Sequence, residues 1–302
     1  MMKNITAEQI ENLKISPQKC VEWVAQSFSI KYESQLPAKM SVHPIGNDFI
    51  TTMPCLLPSS IGRFGVKVVS RILGRVPALK SDLLLYDSKT GQLLALMNSD
   101  WITAIRTGAV ATLAIKTFRH SQTKKYSFIG LGSTARTTLL CLLSSSPNEH
   151  FDVCLFRYKN QAEEFISYFK NFNNVSFEVV GTISELIDDA DVFVSCITDA
   201  RGLLVEEERL FKPGVLVVPV HTRGFQNCDL FFDKVFADDT EHVKGFKNFS
   251  KFHSFNEISN VLLGKCLGRE NDAERILSYN IGLGLHDVFF ASHIYDMVKT
   301  DI

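Results

Sequence analysis

No stretch of the 302-residue chain approaches the ~18 consecutive apolar residues that a membrane-spanning helix needs, so a transmembrane role is not expected. The beginning, Met1–Glu8, also lacks the apolar core of a secretory signal. An excess of charge of one sign is missing as well. A formal net charge of -1 gives no electrostatic reason to expect nucleic acid or an anionic membrane surface as partner. Paired cysteines are absent: Cys20, Cys55, Cys141, Cys154, Cys196, Cys228 and Cys266 stand singly, with no Cys-x-x-Cys. That spacing argues against a disulfide framework or a thiolate zinc site, and for small buried hydrophobes in a reducing cytoplasm. His43, His242 and His286 have no metal spacing, and Asp238-Asp239 reads as a solvated turn, so no metal is expected. There is no internal repeat and no low-complexity linker. What remains is an ordinary globular composition, 45% hydrophobic and 22% charged, in a chain long enough for two domains with separate cores.

The stretch that organises the chain is Tyr126-Ser-Phe-Ile-Gly130-Leu-Gly132-Ser133-Thr134-Ala135-Arg136. A short apolar strand, a Gly-x-Gly-x-x-Ala turn and an apolar helical run follow one another. Such a turn lets a backbone approach a pyrophosphate and aims helix N–H groups at it, with Ala135 serving close helix–strand packing. A plain strand-to-helix turn has the same pattern, so the surroundings decide. Strands are predicted at Val153–Phe156, Val175–Val180, Asp191–Ile197 and Gly214–Val220, with helices at Gln161–Phe169 and Ile183–Ala190 between them. Strand–helix alternation predicts a parallel, doubly wound α/β sheet. Ligands of such sheets lie at the carboxyl ends of the strands, where Gly130, Arg157, Thr198 and the loop from His221 to Gly224 fall.

The first half reads differently. Thr6–Gln9 is a capping box, and Ser16-Pro17 places a cap and an N1 proline before an amphipathic helix. Short apolar pieces between Lys39 and Leu57, then Phe64–Ser70, Asp82–Asp87 and Gln92–Met97, predict antiparallel strands with tight turns, followed by a helix from Asp100. Two cations interrupt apolar sequence here. Alternation puts Lys67 on the strand face opposite Val66 and Val68. Arg106 lies among Ala104, Ile105, Ala109 and Val110 near the start of a helix. A buried cation needs an anionic partner, either an internal acid or the carboxylate or phosphate of a ligand.

Residue 157 bears on cofactor choice. In an NAD-preferring site the second strand ends in an acid that bonds the ribose 2′-hydroxyl. Here it ends in Phe156-Arg157-Tyr158-Lys159. Two cations suit a 2′-phosphate, which slightly favours NADP(H); a solvated turn with NAD(H) bound through other contacts is the alternative.

Met53-Pro54, Gly65-Val-Lys67-Val-Val69, Asp87-x-x-Thr90-Gly91, Ile102-Thr-Ala-Ile-Arg106-Thr-Gly-Ala109, Gly130-Leu-Gly132, Ala190-Asp191-Val192, Lys212-Pro-Gly214 and Gly282-x-x-x-x-Asp287 occur in order along nearly the whole chain. As an ordered set they resemble the ornithine cyclodeaminase and mu-crystallin family. The resemblance implies a substrate-binding and dimerisation domain with antiparallel strands over residues 1–116 and 286–302, and a Rossmann dinucleotide-binding domain over 117–285. It implies that Lys39, Lys67 and Arg106 hold the carboxylate of an amino or imino acid. It further implies that Gly130, Gly132, Ser133, Thr134, Ala135, Arg157, Lys159, Thr198, Val220, His221 and Thr222 contact the dinucleotide. Asn280, Ile281 and Gly282 would then lie beside the nicotinamide, as would Arg106.

Two positions depart from the cyclodeaminases of that family. Thr51 stands where they carry an acid just before Met-Pro, and Arg223 or a neighbour stands where they carry a catalytic Asp. The expected activity is therefore net hydride transfer between NAD(P)H and a small imino, amino or keto acid. Lys67 or His221 is the available acid/base, and Arg223 is a binder for a second carboxylate as in an opine-forming enzyme. A loop histidine bonded only to backbone is the alternative for His221. Cyclodeamination of ornithine and cofactor binding without turnover are the competing functions, and a homodimer is the expected assembly.

Overall fold

A computed structural model describes residues 2–197, 204–205, 207–220 and 228–300. The chain divides into two compact units, one of Met1–Arg106 with Gly282–Ile302 and one of Thr107–Ile281. The sequence puts the two crossings after residues 116 and 285, where the units divide after Arg106 and Ile281. The first difference has a physical cause. The helix that begins at Asp100 runs unbroken to Phe118, and its later turns belong to the second unit. There Gly108 lies so near the Thr137–Thr138 backbone that a Cβ would stand 2.4 Å from the Thr137 carbonyl carbon, and Thr112 donates to the Thr138 carbonyl at 3.0 Å.

The first unit contains β1 (Lys3–Ile5), α1 (Ala7–Asn12), α2 (Pro17–Ser29), β2 (Met40–Val42), β3 (Phe49–Leu56), β4 (Arg63–Arg71), β5 (Leu79–Asp87) and β6 (Leu93–Asn98). It also holds the start of α3 (Asp100–Phe118) and, at the far end of the chain, α9 (Gly284–Thr300). The capping box closes as expected, with Thr6 and Gln9 bonded to each other's backbone, and Ser16 caps α2. Sheet order is β1-β6-β5-β4-β3-β2, antiparallel except that β1 lies parallel to β6. The β5–β6 turn is held by Asp87, whose Oδ1 accepts from the Lys89 and Thr90 amides, each at 2.9 Å. Helix α9 lies on β3, β4 and β5, and α2 packs on α9, where Trp23 stacks on His293 with centroids 4.6 Å apart. Gly65 makes the helix–sheet approach possible: a Cβ there would meet Val288 Cγ2 at 2.8 Å.

The second unit contains β7 (Lys125–Ile129), α4 (Ser133–Ser145), β8 (Phe151–Phe156), α5 (Gln161–Tyr168), β9 (Val175–Val180), α6 (Ile183–Ile187), β10 (Val192–Ser195) and β11 (Leu216–Pro219). These are followed by β12 (Lys234–Ala237), α7 (Thr240–Val243), β13 (Phe255–Glu257), α8 (Ile258–Leu262) and β14 (Ile276–Tyr279). All pairings are parallel, in the order β13-β12-β14-β11-β10-β7-β8-β9. This is the doubly wound sheet the alternation predicts, extended by strands that the sequence alone did not bring out. β7, β10 and β11 are buried on both faces, as a helix-covered parallel sheet requires. Two motifs meet at the amino edge of this sheet. Asp191 accepts from the Lys124 and Lys125 amides at 2.7 and 2.9 Å and pairs with Lys212 at 2.6 Å and His120 at 3.0 Å. Burial opposes its charge, yet these donors hold its carboxyl down to about 2.

Asp238 corrects the sequence reading: it is fully buried rather than solvated, and Asp239 caps α7 by accepting from the Glu241 amide. Among the described residues no group of three or more His, Cys, Asp or Glu stands where it could hold a metal ion, and no helix is long and apolar enough to cross a membrane. Cys20, Cys55, Cys141, Cys154 and Cys196 are buried and in no disulfide, and burial pushes the Cys20 thiol up to about 12.

Candidate active site

In the first unit β4 carries Lys67, with Gly65 and Val69, on its better buried face. Lys67 is wholly buried and is among the largest side chains so enclosed, the others being Phe and Tyr. Arg106, on α3, is 6% exposed. Both cations reach the same acid. Asp287, in the first turn of α9, places Oδ2 2.8 Å from Lys67 Nζ and Oδ1 2.9 Å from Arg106 Nε, and its own side chain is wholly buried. Of the two partners the sequence leaves open for these cations, the internal acid is present. It is one acid for two cations, and Lys67 Nζ makes no well-directed hydrogen bond among the described residues.

The electrostatics follow from that imbalance. Burial brings the Lys67 ammonium down to about 7, helped by the charges of Arg106 and Lys39 and opposed by Asp287. Burial likewise opposes the Asp287 carboxylate, but Arg106 and Lys67 outweigh it and hold the group below the usual carboxylate range. The Cys55 thiol nearby is pushed up to about 12, first by burial and then by Asp287, so it is no nucleophile. A lysine enclosed in this way costs several kcal/mol of desolvation. An unbranched apolar residue would serve the core better, so stability does not explain Lys67.

Gly282 completes the setting. Its φ is +90°, and a Cβ would stand 2.6 Å from Arg106 Nη1, so the absence of a side chain lets the guanidinium lie against the backbone. Lys39 is half-buried, and its charge is felt at Lys67. Thr51 is buried and its hydroxyl lies 2.7 Å from that of Ser41, a neutral pair.

The second unit brings its candidates to one edge. Gly130, Val220 and Asn280 follow β7, β11 and β14, and Arg157 follows β8, so all four sit at carboxyl ends of parallel strands. Gly130 has φ +78°, and a Cβ would stand 2.6 Å from the Cys196 carbonyl carbon. Gly132 is the N-cap of α4 without a side-chain cap, and a Cβ there would meet nothing within 4 Å. The first amides of α4, at Ser133, Thr134 and Ala135, therefore open on a bare backbone, the arrangement that suits a pyrophosphate. Val220 is buried and its amide donates to the Ser195 carbonyl at 2.9 Å. Asn280 is buried, with its amide donating to Pro219 at 3.1 Å and its side chain to the Ser278 carbonyl at 3.0 Å. Ile281 next to it is half-buried. Arg157 is exposed and pairs with Glu163 at 3.2 Å, and Lys159, also exposed, lies over the Tyr158 ring at 5.4 Å. Thr198, His221, Thr222 and Arg223 lie outside the described residues.

Asp287 is the residue that sequence reasoning left without a role, although it closes the last of the recurring motifs. The available signal is an acid in the first turn of a helix whose next residues, Val288-Phe289-Phe290-Ala291, are apolar. Nothing local links it to Arg106, 181 residues earlier.

One unit with a parallel sheet and an uncapped glycine turn, and another with a mixed sheet and a buried cation–acid cluster, define the class: a two-unit α/β protein of dehydrogenase-like build. The chain matches the model of the ornithine cyclodeaminase/mu-crystallin family over residues 2–301, and it belongs to that family. It is 25% identical to a delta(1)-pyrroline-2-carboxylate reductase of Bacillus cereus, over 97% of this chain and 95% of the relative. It is 26% identical to an alanine dehydrogenase of Archaeoglobus fulgidus, over 97% and 94%. In fold it is similar to the delta(1)-pyrroline-2-carboxylate reductase of Thermococcus litoralis, solved with NADH and L-proline, with a TM-score of 0.85, 24% identity and coverage of 99% of this chain and 98% of that one.

Proposed function

We propose that the protein is a nicotinamide-dependent oxidoreductase of small amino or imino acids, joining hydride to, or removing it from, a carbon that bears a carboxylate. The observation that carries this reading is the enclosed Lys67–Asp287–Arg106 group, in which two cations share one acid and a ligand carboxylate supplies the missing negative charge. The two relatives named above are, by name, a reductase of a cyclic imine bearing a carboxylate and a dehydrogenase of alanine. When bound, the nicotinamide supplies or takes the hydride.

The chain's own residues do the rest. Lys39, Lys67 and Arg106 fix the substrate carboxylate and so orient the reacting carbon. Lys67, brought down to about 7, is also able to hold or release a proton near neutral pH, a role that His221 shares as a candidate. Arg223 would take a second carboxylate. The amides of Ser133, Thr134 and Ala135, with Gly130 and Gly132, hold the pyrophosphate. Thr198, Val220, His221, Thr222, Asn280, Ile281, Gly282 and Arg106 serve the nicotinamide end.

Arg157 and Lys159 favour NADPH, since the acid near them, Glu163, is tied to Arg157 in an exposed ion pair of little worth that a 2′-phosphate displaces. The protein acts in the cytoplasm, in keeping with its buried, unbridged thiols, and as a homodimer built on its first unit. Cyclodeamination is disfavoured by the neutral Thr51–Ser41 pair.

The test is oxidation of NADPH and NADH with delta(1)-pyrroline-2-carboxylate and with keto acids plus ammonia, and ammonia release from ornithine. Imine-dependent oxidation, faster with NADPH, is expected. Ammonia release from ornithine without net oxidation would replace this reading with the lyase.

A further inference from the structure

Asp287 has a function beyond neutralising one charge. We propose that it is the positioning residue of the cluster: its two oxygens hold the Lys67 and Arg106 head groups side by side, so that a ligand carboxylate meets two fixed cations. The carboxylate ligand rests on the function proposed above; the hold on the two cations does not.

Three elements converge to make the bridge. Lys67 comes from β4, Arg106 from α3 and Asp287 from α9, and each oxygen of the acid takes a different cation, at 2.8 and 2.9 Å. The acid itself is fixed. Gly284, one turn before it, fits so closely on β3 that a Cβ would lie 3.0 Å from the Met53 carbonyl, and Val288 after it fills the space above Gly65. A carboxylate on so rigid a support sets where the cations stand, whereas two unbridged cations would repel each other. Arg106 and Lys39 lower Lys67, His286 acts as a positive neighbour of Asp287, and Cys55 stays a neutral thiol. Asp287 alone among these groups favours the ammonium that binds an anion.

The test reads Lys67 directly. In protein labelled with 13C at lysine Cε, the Lys67 signal, assigned by its loss in Lys67→Met, is titrated in the wild type, Asp287→Asn and Asp287→Glu. Binding of L-proline by the cofactor-loaded protein is measured across the same pH range. In Asp287→Asn the Lys67 midpoint is expected to fall by about one to three pH units, the effect of removing an adjacent opposite charge. L-proline affinity is expected to fall at least about tenfold, and Asp287→Glu to recover most of both. If Asp287→Asn does not fold, the pair Arg106→Gln and Arg106→Gln/Asp287→Asn carries the same comparison with one buried charge fewer. An unmoved midpoint overturns the proposal, as does a moved midpoint with wild-type affinity. A wild type that binds no carboxylate and reduces no imine points instead to failure of the proposed function, and the midpoint still decides whether Asp287 holds Lys67.

Discussion

The two polar centres of the molecule are built in opposite ways. In the second unit the centre is backbone: two glycines and the first amides of α4, all within one turn of chain. In the first unit it is side chains from three distant elements, enclosed and carrying more positive than negative charge. A backbone centre costs the fold little and recognises a group that many proteins share. A buried charged centre costs several kcal/mol and selects a particular ligand charge. On the proposed function the first unit is where stability is given up for specificity, and substitutions there should separate the two.

The largest effect is expected at the acid. Asp287→Asn leaves two buried cations without their carboxylate and should lower stability by about 3–5 kcal/mol, read by chemical denaturation. Lys67→Met should do the opposite. It leaves a one-to-one Arg106–Asp287 pair, so the protein should gain about 1–4 kcal/mol at neutral pH, while the KM for a carboxylate substrate rises about 10²-fold. Equal destabilisation by both changes would erase the contrast between the acid and the surplus cation.

In the second unit Gly130→Val adds a side chain where φ is +78° and the Cys196 backbone is 2.6 Å from a Cβ. A loss of about 1–3 kcal/mol is expected, with dinucleotide binding abolished; unchanged cofactor affinity would show that this turn is only structural.

The last effect is a slope rather than a single value. Lys67 titrates at 10.5 as a free side chain and at about 7 in the fold. Between these values the unfolded chain binds more protons than the native one, so the Lys67 contribution to stability rises with pH across that window and is lost as pH falls toward 7. The stability advantage of Lys67→Met over the wild type should therefore shrink from pH 7 to 10.5. A constant advantage would mean that Lys67 keeps an ordinary ionisation.

Which parts were legible in the sequence follows the same division. The glycine turn was readable because strand, turn and helix are contiguous, and its fold neighbours in the sheet followed from alternation. Lys67 and Arg106 were readable as cations interrupting apolar runs, and alternation put Lys67 on the correct strand face. Their common partner was not, because only the three-dimensional packing of α9 on β3 and β4 brings Asp287 to them. β1, with three residues, is too short to show alternation, and β12, β13 and β14 are four residues or fewer. Asp238 was misread because an Asp-Asp pair is usually a solvated turn, whereas here it follows a buried strand.

The central claim, that the Lys67–Arg106–Asp287 group receives a ligand carboxylate, is tested most directly by calorimetric titration of the cofactor-loaded protein with L-proline and L-alanine against their carboxamides. The acids should bind at least about 10²-fold more tightly than the amides, and Lys67→Met should remove most of that preference. Amides that bind as well as the acids would contradict it.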